Sequence, residues 1–147
     1  MKKLFLFASA LVLGMSVFAQ QAQQTQKAED VLKFKELSYD FGKIKQGVPV
    51  AHDFVFTNTS DNPVIIESAM ASCGCTTPVK PEGAIQKGKD DVVKTGFNAA
   101  VAGPFNKSIT IKVAGIQMPL QLHITGEVLT PDAYAKYEAS KGTKGSR

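Results

Sequence analysis

The sequence predicts an all-β protein, an immunoglobulin-like β-sandwich of about seven strands, and three observations lead to this fold class. Apolar and polar residues alternate with a period of two in several short segments, as they do in strands with one buried face. Turns rich in Gly, Pro and Asn separate these segments over roughly 100 residues. No amphipathic helix of useful length accompanies them. A closed all-β barrel is the alternative architecture.

The composition fits one globular domain. The chain has 147 residues, of which 44% are hydrophobic and 20% are charged. It can therefore bury a core, and it is too short for a large multidomain enzyme. The formal net charge is +4, but basic and acidic residues nearly balance between residues 31 and 130. Because no basic face is predicted, we expect no nucleic-acid partner.

The first 19 residues have the pattern of a secretory signal peptide. Lys2 and Lys3 precede an apolar stretch over residues 4–13, and a small residue, Ala19, stands at the expected cleavage position. The apolar stretch is shorter than the ~20 residues that a membrane-spanning helix needs. We therefore expect a mature chain that begins at Gln20, has no membrane span, and is located in the periplasm or outside the cell.

Two polar segments flank the predicted domain. Residues 20–30 are rich in glutamine and poor in apolar groups, which predicts a disordered leader. Residues 131–147 hold several basic residues among Gly, Ser and Thr, which predicts a flexible basic tail with one helical turn over residues 133–138. The sandwich domain is therefore predicted to span residues 31–130.

The clearest strand pattern lies in residues 116–128. Met118, Leu122 and Ile124 share one parity there and are predicted to face the core. Pro119 interrupts this pattern and has no N–H for a ladder hydrogen bond. We therefore expect an edge or a bulge at that position.

The same period predicts the other strands. A turn at Ala114-Gly115 joins the last strand to residues 105–113 as a hairpin. In residues 50–57, His52 shares its parity with Phe54, which predicts a buried, hydrogen-bonded histidine. Further strands are predicted over residues 32–37, 39–44, 64–70 and 92–97.

The two cysteines, Cys73 and Cys75, form the most reactive pair in the sequence. They flank Gly74 directly after the strand predicted over residues 64–70, and glycine tolerates the bend that a bridge needs. Three chemistries fit this spacing in an exported protein: a structural disulfide, a redox-active disulfide, and a site for a soft ion such as Cu(I). Met70 is the thioether that the sequence places nearest for the metal site.

No other catalytic constellation is predicted. The sequence has no nucleophile elbow, no phosphate-binding glycine loop and no calcium-binding loop. The two histidines, His52 and His123, lie on strands whose parity gives no reason to bring them to the cysteines. A zinc site needs about four ligands, and the pair supplies two. We therefore expect no cofactor and no enzyme activity beyond a redox role of the cysteine pair.

Five short motifs occur in a fixed order along the chain: Tyr39-Asp40-Phe41-Gly42, Phe54-Val55-Phe56-Thr57-Asn58-Thr59, Ser72-Cys73-Gly74-Cys75-Thr76, Gly103-Pro104-Phe105 and Gly126-Glu127-Val128. This order resembles a family of secreted bacterial proteins, domain-of-unknown-function (DUF) family fifteen seventy-three, over about residues 34–128. The loop motif that contains Ser72, Gly74 and Thr76 around the cysteines is its most specific part. The resemblance implies an immunoglobulin-like fold and export, and its broader relatives imply an interaction domain.

These observations predict an exported binding or structural module of the cell envelope, with another envelope or extracellular protein as its partner. The expected contact surfaces are an uncovered sheet edge, which can accept an added strand, and the loop over residues 72–77. The alternative is a small thiol-disulfide or copper-binding protein that uses Cys73 and Cys75. Neither the identity of the partner nor the oligomeric state is predicted.

Overall fold

The computed structural model describes residues 26–142. The strands in chain order are β1 (Leu32–Phe34), β2 (Ser38–Lys45), β3 (Val50–Asn58), β4 (Ile66–Ala71), β5 (Thr76–Val79), β6 (Asp90–Phe97), β7 (Gly103–Val113) and β8 (Leu120–Leu129). Two short or peripheral helices, α1 (Ala28–Val31) and α2 (Pro131–Gly142), stand at the two ends of the described chain. The predicted signal peptide, residues 20–25 of the predicted leader and residues 143–147 of the predicted tail lie outside the described residues.

The strands form two four-stranded sheets that pack as a sandwich, which confirms the predicted fold class. The first sheet has the order β1-β3-β6-β5, and the second has the order β2-β8-β7-β4. Alternate side chains of β3, β7 and β8 fill the space between the sheets, as the period of two predicts. The most deeply buried of these are Phe54, Phe56, Ile109, Ile111, Leu122 and Ile124.

One extended segment at the start of the domain closes one side of the sandwich. β1 pairs antiparallel with β3, and the chain then crosses to the second sheet, where β2 pairs in parallel with β8. Lys35 donates its N–H to the carbonyl of Val55 in the first sheet, and Leu37 accepts the N–H of His123 in the second. The opposite side of the sandwich therefore ends with β4 in one sheet and β5 in the other.

A bulge in β2 explains the Tyr-Asp-Phe-Gly motif. The Asp40 carboxylate accepts the N–H of Gly42 at 2.9 Å, and Gly42 has a φ of +65°. The register with β8 shifts between Asp40 and Lys43. Gly126 lies against this bulge, and a Cβ atom there would stand 2.8 Å from the Gly42 carbonyl oxygen and 2.8 Å from the Phe105 ring.

The turn after β3 is organised by a buried asparagine. The Asn58 amide nitrogen donates to the carbonyls of Asn62 and Ile85, and its oxygen accepts the N–H and hydroxyl of Ser60. Asn58 is 0% exposed, so these bonds replace the water that it has lost. The asparagine of the second motif therefore has a structural role.

The domain begins earlier than the sequence predicts. The sequence predicts that residues 28–30 belong to the disordered leader, but they form part of α1, and Ala28 is fully buried. The Lys27 N–H bonds to the Asp30 carboxylate, and the Ala28 N–H bonds to the Met118 carbonyl. These bonds tie the segment to the connection before β8, so it is not a leader.

The predicted flexible tail contains a three-turn helix over residues 131–142 instead of one turn. Thr130 accepts the Ala133 N–H with its hydroxyl, and Pro131 occupies the first helical position. Lys43 of β2 lies over the Tyr137 ring at 5.2 Å, which docks the helix onto the edge of the second sheet. A hydrogen bond to the Tyr137 side chain raises the pKa of Lys141 above its ordinary value.

Three predictions about the strands need correction, and one strand was not predicted. β8 begins at Leu120, so Pro119 lies before the strand and causes neither an edge nor a bulge in it. Met118 also lies outside the strand and is 44% exposed, although its parity predicted a core position. β4 begins at Ile66 instead of residue 64, and the short strand β5 was not predicted because it has only four residues and contains Pro78.

We predict that Gly126→Ala lowers the free energy of unfolding by about 3 kcal/mol, because its Cβ meets the Gly42 backbone and the Phe105 ring. Gly96→Ala is the matched control, since the nearest atom to its Cβ is 3.7 Å away and its φ is not positive. Urea unfolding of both variants measures the difference. Equal stability of the two variants would contradict the packing described here.

Candidate functional site

Three loops meet at one end of the sandwich. They are the β2–β3 loop (residues 46–49), the β4–β5 loop (residues 72–75) and the β6–β7 loop (residues 98–102). The Gly47 N–H and the Gln46 side-chain amide donate to carbonyls of the third loop, at 2.9 and 3.0 Å. These bonds hold the β6–β7 loop in place.

The cysteine pair lies in the middle loop of this end. Cys73 and Cys75 form a disulfide, with their Cα atoms 5.3 Å apart. Both residues are half-buried, whereas Ser72 and Gly74 are exposed. The Cys75 carbonyl accepts the N–H of Asn98 at 3.0 Å, so the disulfide turn is attached to the end of the neighbouring strand β6.

Thr76 orients its hydroxyl toward both sulfurs. Its Oγ1 lies 3.6 Å from the Cys73 Sγ and 4.0 Å from the Cys75 Sγ. A disulfide sulfur carries no proton, so the threonine hydroxyl is the donor. The Thr76 backbone N–H bonds to the Cys73 carbonyl at 3.3 Å, and the residue is buried. Thr76 therefore belongs to the disulfide site by contact as well as by sequence motif.

The predicted soft-metal site uses Cys73, Cys75 and Met70, and the structure holds the two cysteines as a disulfide. Because the two sulfurs are bonded to each other, neither is a thiolate ligand until the bond is reduced. Met70 is 56% exposed on β4. Within residues 26–142, no group of three or more His, Cys, Asp and Glu residues is arranged to hold a metal ion.

A cavity of about 400 Å³ adjoins the disulfide on the side of Cys75. Its wall is formed mainly by apolar groups of β6, the β6–β7 loop and the start of β7. Phe97 and Phe105 stack there with ring centroids 4.1 Å apart. Cavities of this size and composition accommodate apolar ligand groups or side chains.

Lys107 is the one basic residue in the wall of this cavity. It lies between Phe105 and Ile109 on β7. The alternation of side chains along this strand directs position 107 into the space between the two sheets. A lysine at an inward position is uncommon, because the ammonium group must stay solvated. Here the residue is half-buried beside the cavity, so it brings a positive charge to the disulfide end of the sandwich.

Lys107 was not among the predicted site residues, although the sequence contains one signal for it. The apolar alternation of the segment from 105 to 113 is broken at this one position, where a lysine replaces an expected apolar residue. A charged residue at a strand position that faces the core indicates a cavity, an ion pair or a functional site. The cavity itself depends on the β6–β7 loop, whose path no periodicity predicts.

His52 lies in an aromatic row away from the disulfide. Its ring stacks on Tyr39 with centroids 3.6 Å apart, and its Nε2 lies 3.0 Å from the Glu36 carboxylate. Its side chain is 16% exposed, so the histidine is hydrogen-bonded as predicted, but it is half-buried where the sequence predicted a buried residue. Tyr39 also contacts Phe41 edge to face. These contacts connect the two sheets, and none of them involves a cysteine.

The described residues contain no helix that is long and apolar enough to cross a membrane.

The sequence pattern of the family described as "Protein of unknown function (DUF1573)" matches residues 32–128, nearly the whole sandwich. The chain belongs to this family. The match confirms the resemblance that the five motifs indicated. No curated protein matches the sequence.

Solved structures with similar folds come from diverse proteins. A protein of unknown function from Porphyromonas gingivalis has 15% identity and a TM-score of 0.59, over 67% of this chain and 46% of that chain. The PapD-like domain 7 of human CEP192 has 12% identity and a TM-score of 0.57, over 79% and 97%. The VesB protease of Vibrio cholerae has 15% identity and a TM-score of 0.53, over 69% and 33%.

The chain thus spans less than half of the length of the Porphyromonas gingivalis protein and a third of the protease. At these identities the likeness concerns the fold. The fold is similar to that of the PapD-like domain of CEP192.

We predict that the double variant Cys73→Ser, Cys75→Ser folds and loses only about 1 to 2 kcal/mol of unfolding free energy, because the bridge closes a very short loop. Urea unfolding of the variant and of the oxidised parent measures this loss. A loss of more than about 4 kcal/mol would mean that the disulfide is a main support of the sandwich.

Proposed function

We propose that this protein is an exported immunoglobulin-like module of the cell envelope that binds another envelope protein. In this proposal the partner adds an extended strand to the free edge of β4 and contacts the adjoining loop over residues 72–77. The proposal rests on the free edge of β4, which lacks the protecting features of the other three sheet edges.

Three of the four sheet edges have features that oppose strand addition. β1 has only three residues. β2 contains the bulge at Gly42, and its far end lies under α2, where Lys43 contacts Tyr137. β5 includes Pro78, which has no N–H to donate. Short strands, bulges, prolines and covering helices are the means by which proteins protect sheet edges.

β4 has none of these protections over its last four residues, 68–71. The register shift with β7 lies before them, between Ile66 and Ser68. The strand contains no proline and no lysine, and Met70 is 56% exposed. An exposed edge that carries small and apolar side chains is suited to an added strand.

The backbone of β4 offers its own hydrogen-bonding groups. The Ser72 N–H points to β7, where it bonds to the Ser108 carbonyl at 2.9 Å. Amide directions alternate along an antiparallel strand, so the N–H groups of Ala69 and Ala71 point away from β7 to the free edge. A partner strand would satisfy these groups, and its apolar side chains would cover Met70.

Two features support an envelope location. Residues 1–19 have the pattern of a secretory signal. The Cys73–Cys75 disulfide is the kind of bond that persists in oxidising compartments.

The proposal is tested by site-specific photo-crosslinking in the native cells. A photoreactive amino acid at Met70 is expected to give a discrete adduct with one envelope protein. Met118, which is 44% exposed before β8, is the matched control and is expected to give none. Adding Ala69→Pro, which removes an N–H that faces the free edge without removing a bond to β7, should abolish the adduct.

Circular dichroism and a thermal melt of the Ala69→Pro protein establish that the sandwich is retained. The same adducts at Met70 and Met118 would contradict the proposed surface, as would an adduct at Met70 that survives Ala69→Pro. Absence of the protein from the envelope fraction would contradict the proposed location.

A further inference from the structure

We propose that the Cys73–Cys75 disulfide is transferred to dithiols of extracytoplasmic proteins, with Cys75 as the sulfur that is attacked and Cys73 as the leaving group. This activity uses the loop end of the sandwich and goes beyond the strand-binding function proposed for β4. The two sulfurs are assigned different roles because their surroundings differ.

The cavity adjoins one residue of the disulfide. Cys75 lines the cavity of about 400 Å³, whereas Cys73 does not. Phe97, Pro104 and Phe105 make the remaining wall largely apolar. A peptide cysteine that is next to an apolar side chain can place that side chain in the cavity and its own sulfur against Cys75.

Lys107 supplies charge complementarity for the attacking group. The nucleophile in thiol–disulfide exchange is a thiolate, which is an anion. Lys107 lies in the wall that it approaches, and no residue lining this cavity in the described chain carries a carboxylate. The ammonium group therefore attracts the incoming thiolate without a competing acid.

Thr76 favours the departure of Cys73. Its hydroxyl is 3.6 Å from the Cys73 sulfur and 4.0 Å from the Cys75 sulfur. When the bond between the sulfurs breaks, negative charge develops on the leaving sulfur. A hydroxyl donor that is already aimed at Cys73 stabilises this charge, because hydrogen bonds to ionised acceptors are stronger than those to neutral ones.

The exchange has two balanced steps. The first thiolate of the partner forms a bond to the Cys75 sulfur, the bond between Cys75 and Cys73 breaks, and its electron pair leaves on Cys73, which takes a proton from water. The second thiolate of the partner then attacks its own sulfur in the mixed disulfide and releases Cys75 as a thiolate. The partner loses two electrons, and the cysteine pair gains them.

The experiment uses the oxidised mature protein and two reduced dithiol peptides, Cys-Phe-Gly-Cys and Cys-Ser-Gly-Cys, with blocked ends. The folded protein is expected to oxidise the phenylalanine peptide about tenfold faster than the serine peptide, because the aromatic ring enters the cavity. A synthetic disulfide peptide with the sequence of residues 72–76 is the reference without a cavity and is expected to oxidise both at similar rates.

The attacked sulfur is located in the unmutated protein, so this result does not depend on any variant folding. The reaction is quenched with acid, the free thiol is alkylated, and the adduct is mapped by mass spectrometry. The peptide is expected on Cys75 and the alkyl group on Cys73. The reverse assignment would overturn the proposal.

Matched variants test the cavity and the charge. Ala102→Phe, in the cavity wall, should remove the preference for the phenylalanine peptide, and Ala114→Phe at the opposite end should keep it. Lys107→Gln should slow attack about threefold at low salt, while Lys112→Gln on the same strand should not. Circular dichroism of each variant establishes that it has folded.

Thr76 is tested by rescue. Thr76→Val should slow release of Cys73 several-fold, and Thr76→Ser, which keeps the hydroxyl, should restore the rate. Equal rates for the two peptides with the folded protein, or equal effects of Ala102→Phe and Ala114→Phe, would overturn the proposal.

Discussion

The packing of Phe105 determines the architecture at the loop end of this protein. Its ring occupies the space that Gly126 leaves open, has its centroid 6.4 Å from that of Phe41 in the β2 bulge, and stacks on Phe97 of the other sheet. A side chain at Gly126 would displace the ring or the bulge. This contact therefore sets the spacing between β2, β7 and β8 in one sheet and β6 in the other. The family motifs that contain Gly42, Phe105 and Gly126 supply the residues that meet there.

The disulfide end depends on that spacing. With Phe105 and Phe97 stacked, the β6–β7 loop arches over a cavity whose wall includes Cys75 and Lys107. The disulfide turn also joins β4 to β5, the two strands at the open side of the sandwich. A partner strand on β4 would therefore run directly into the turn that holds the disulfide, so the proposed binding edge and the proposed exchange site adjoin each other.

Periodicity predicted the sandwich because a buried face imposes alternation on every long strand, as with Phe54 in β3 and Ile109 in β7. It failed where other forces decide the structure. β5 is too short to show a period and forms by pairing with β6. Met118 lies before β8, and its carbonyl accepts the Ala28 N–H. The cysteine pair could be recognised in the sequence. The cavity beside Lys107 could not be predicted, because it depends on the path of the β6–β7 loop.

The most direct test is the intact mass of the protein isolated from its native cells without reductant, under native and then denaturing conditions. The expected native mass exceeds that of the chain by that of a bound envelope protein. The expected denatured chain begins at Gln20 and is lighter by two hydrogens because Cys73 and Cys75 are bonded. A single-chain native mass together with a denatured chain that retains Met1 would contradict the proposed envelope module.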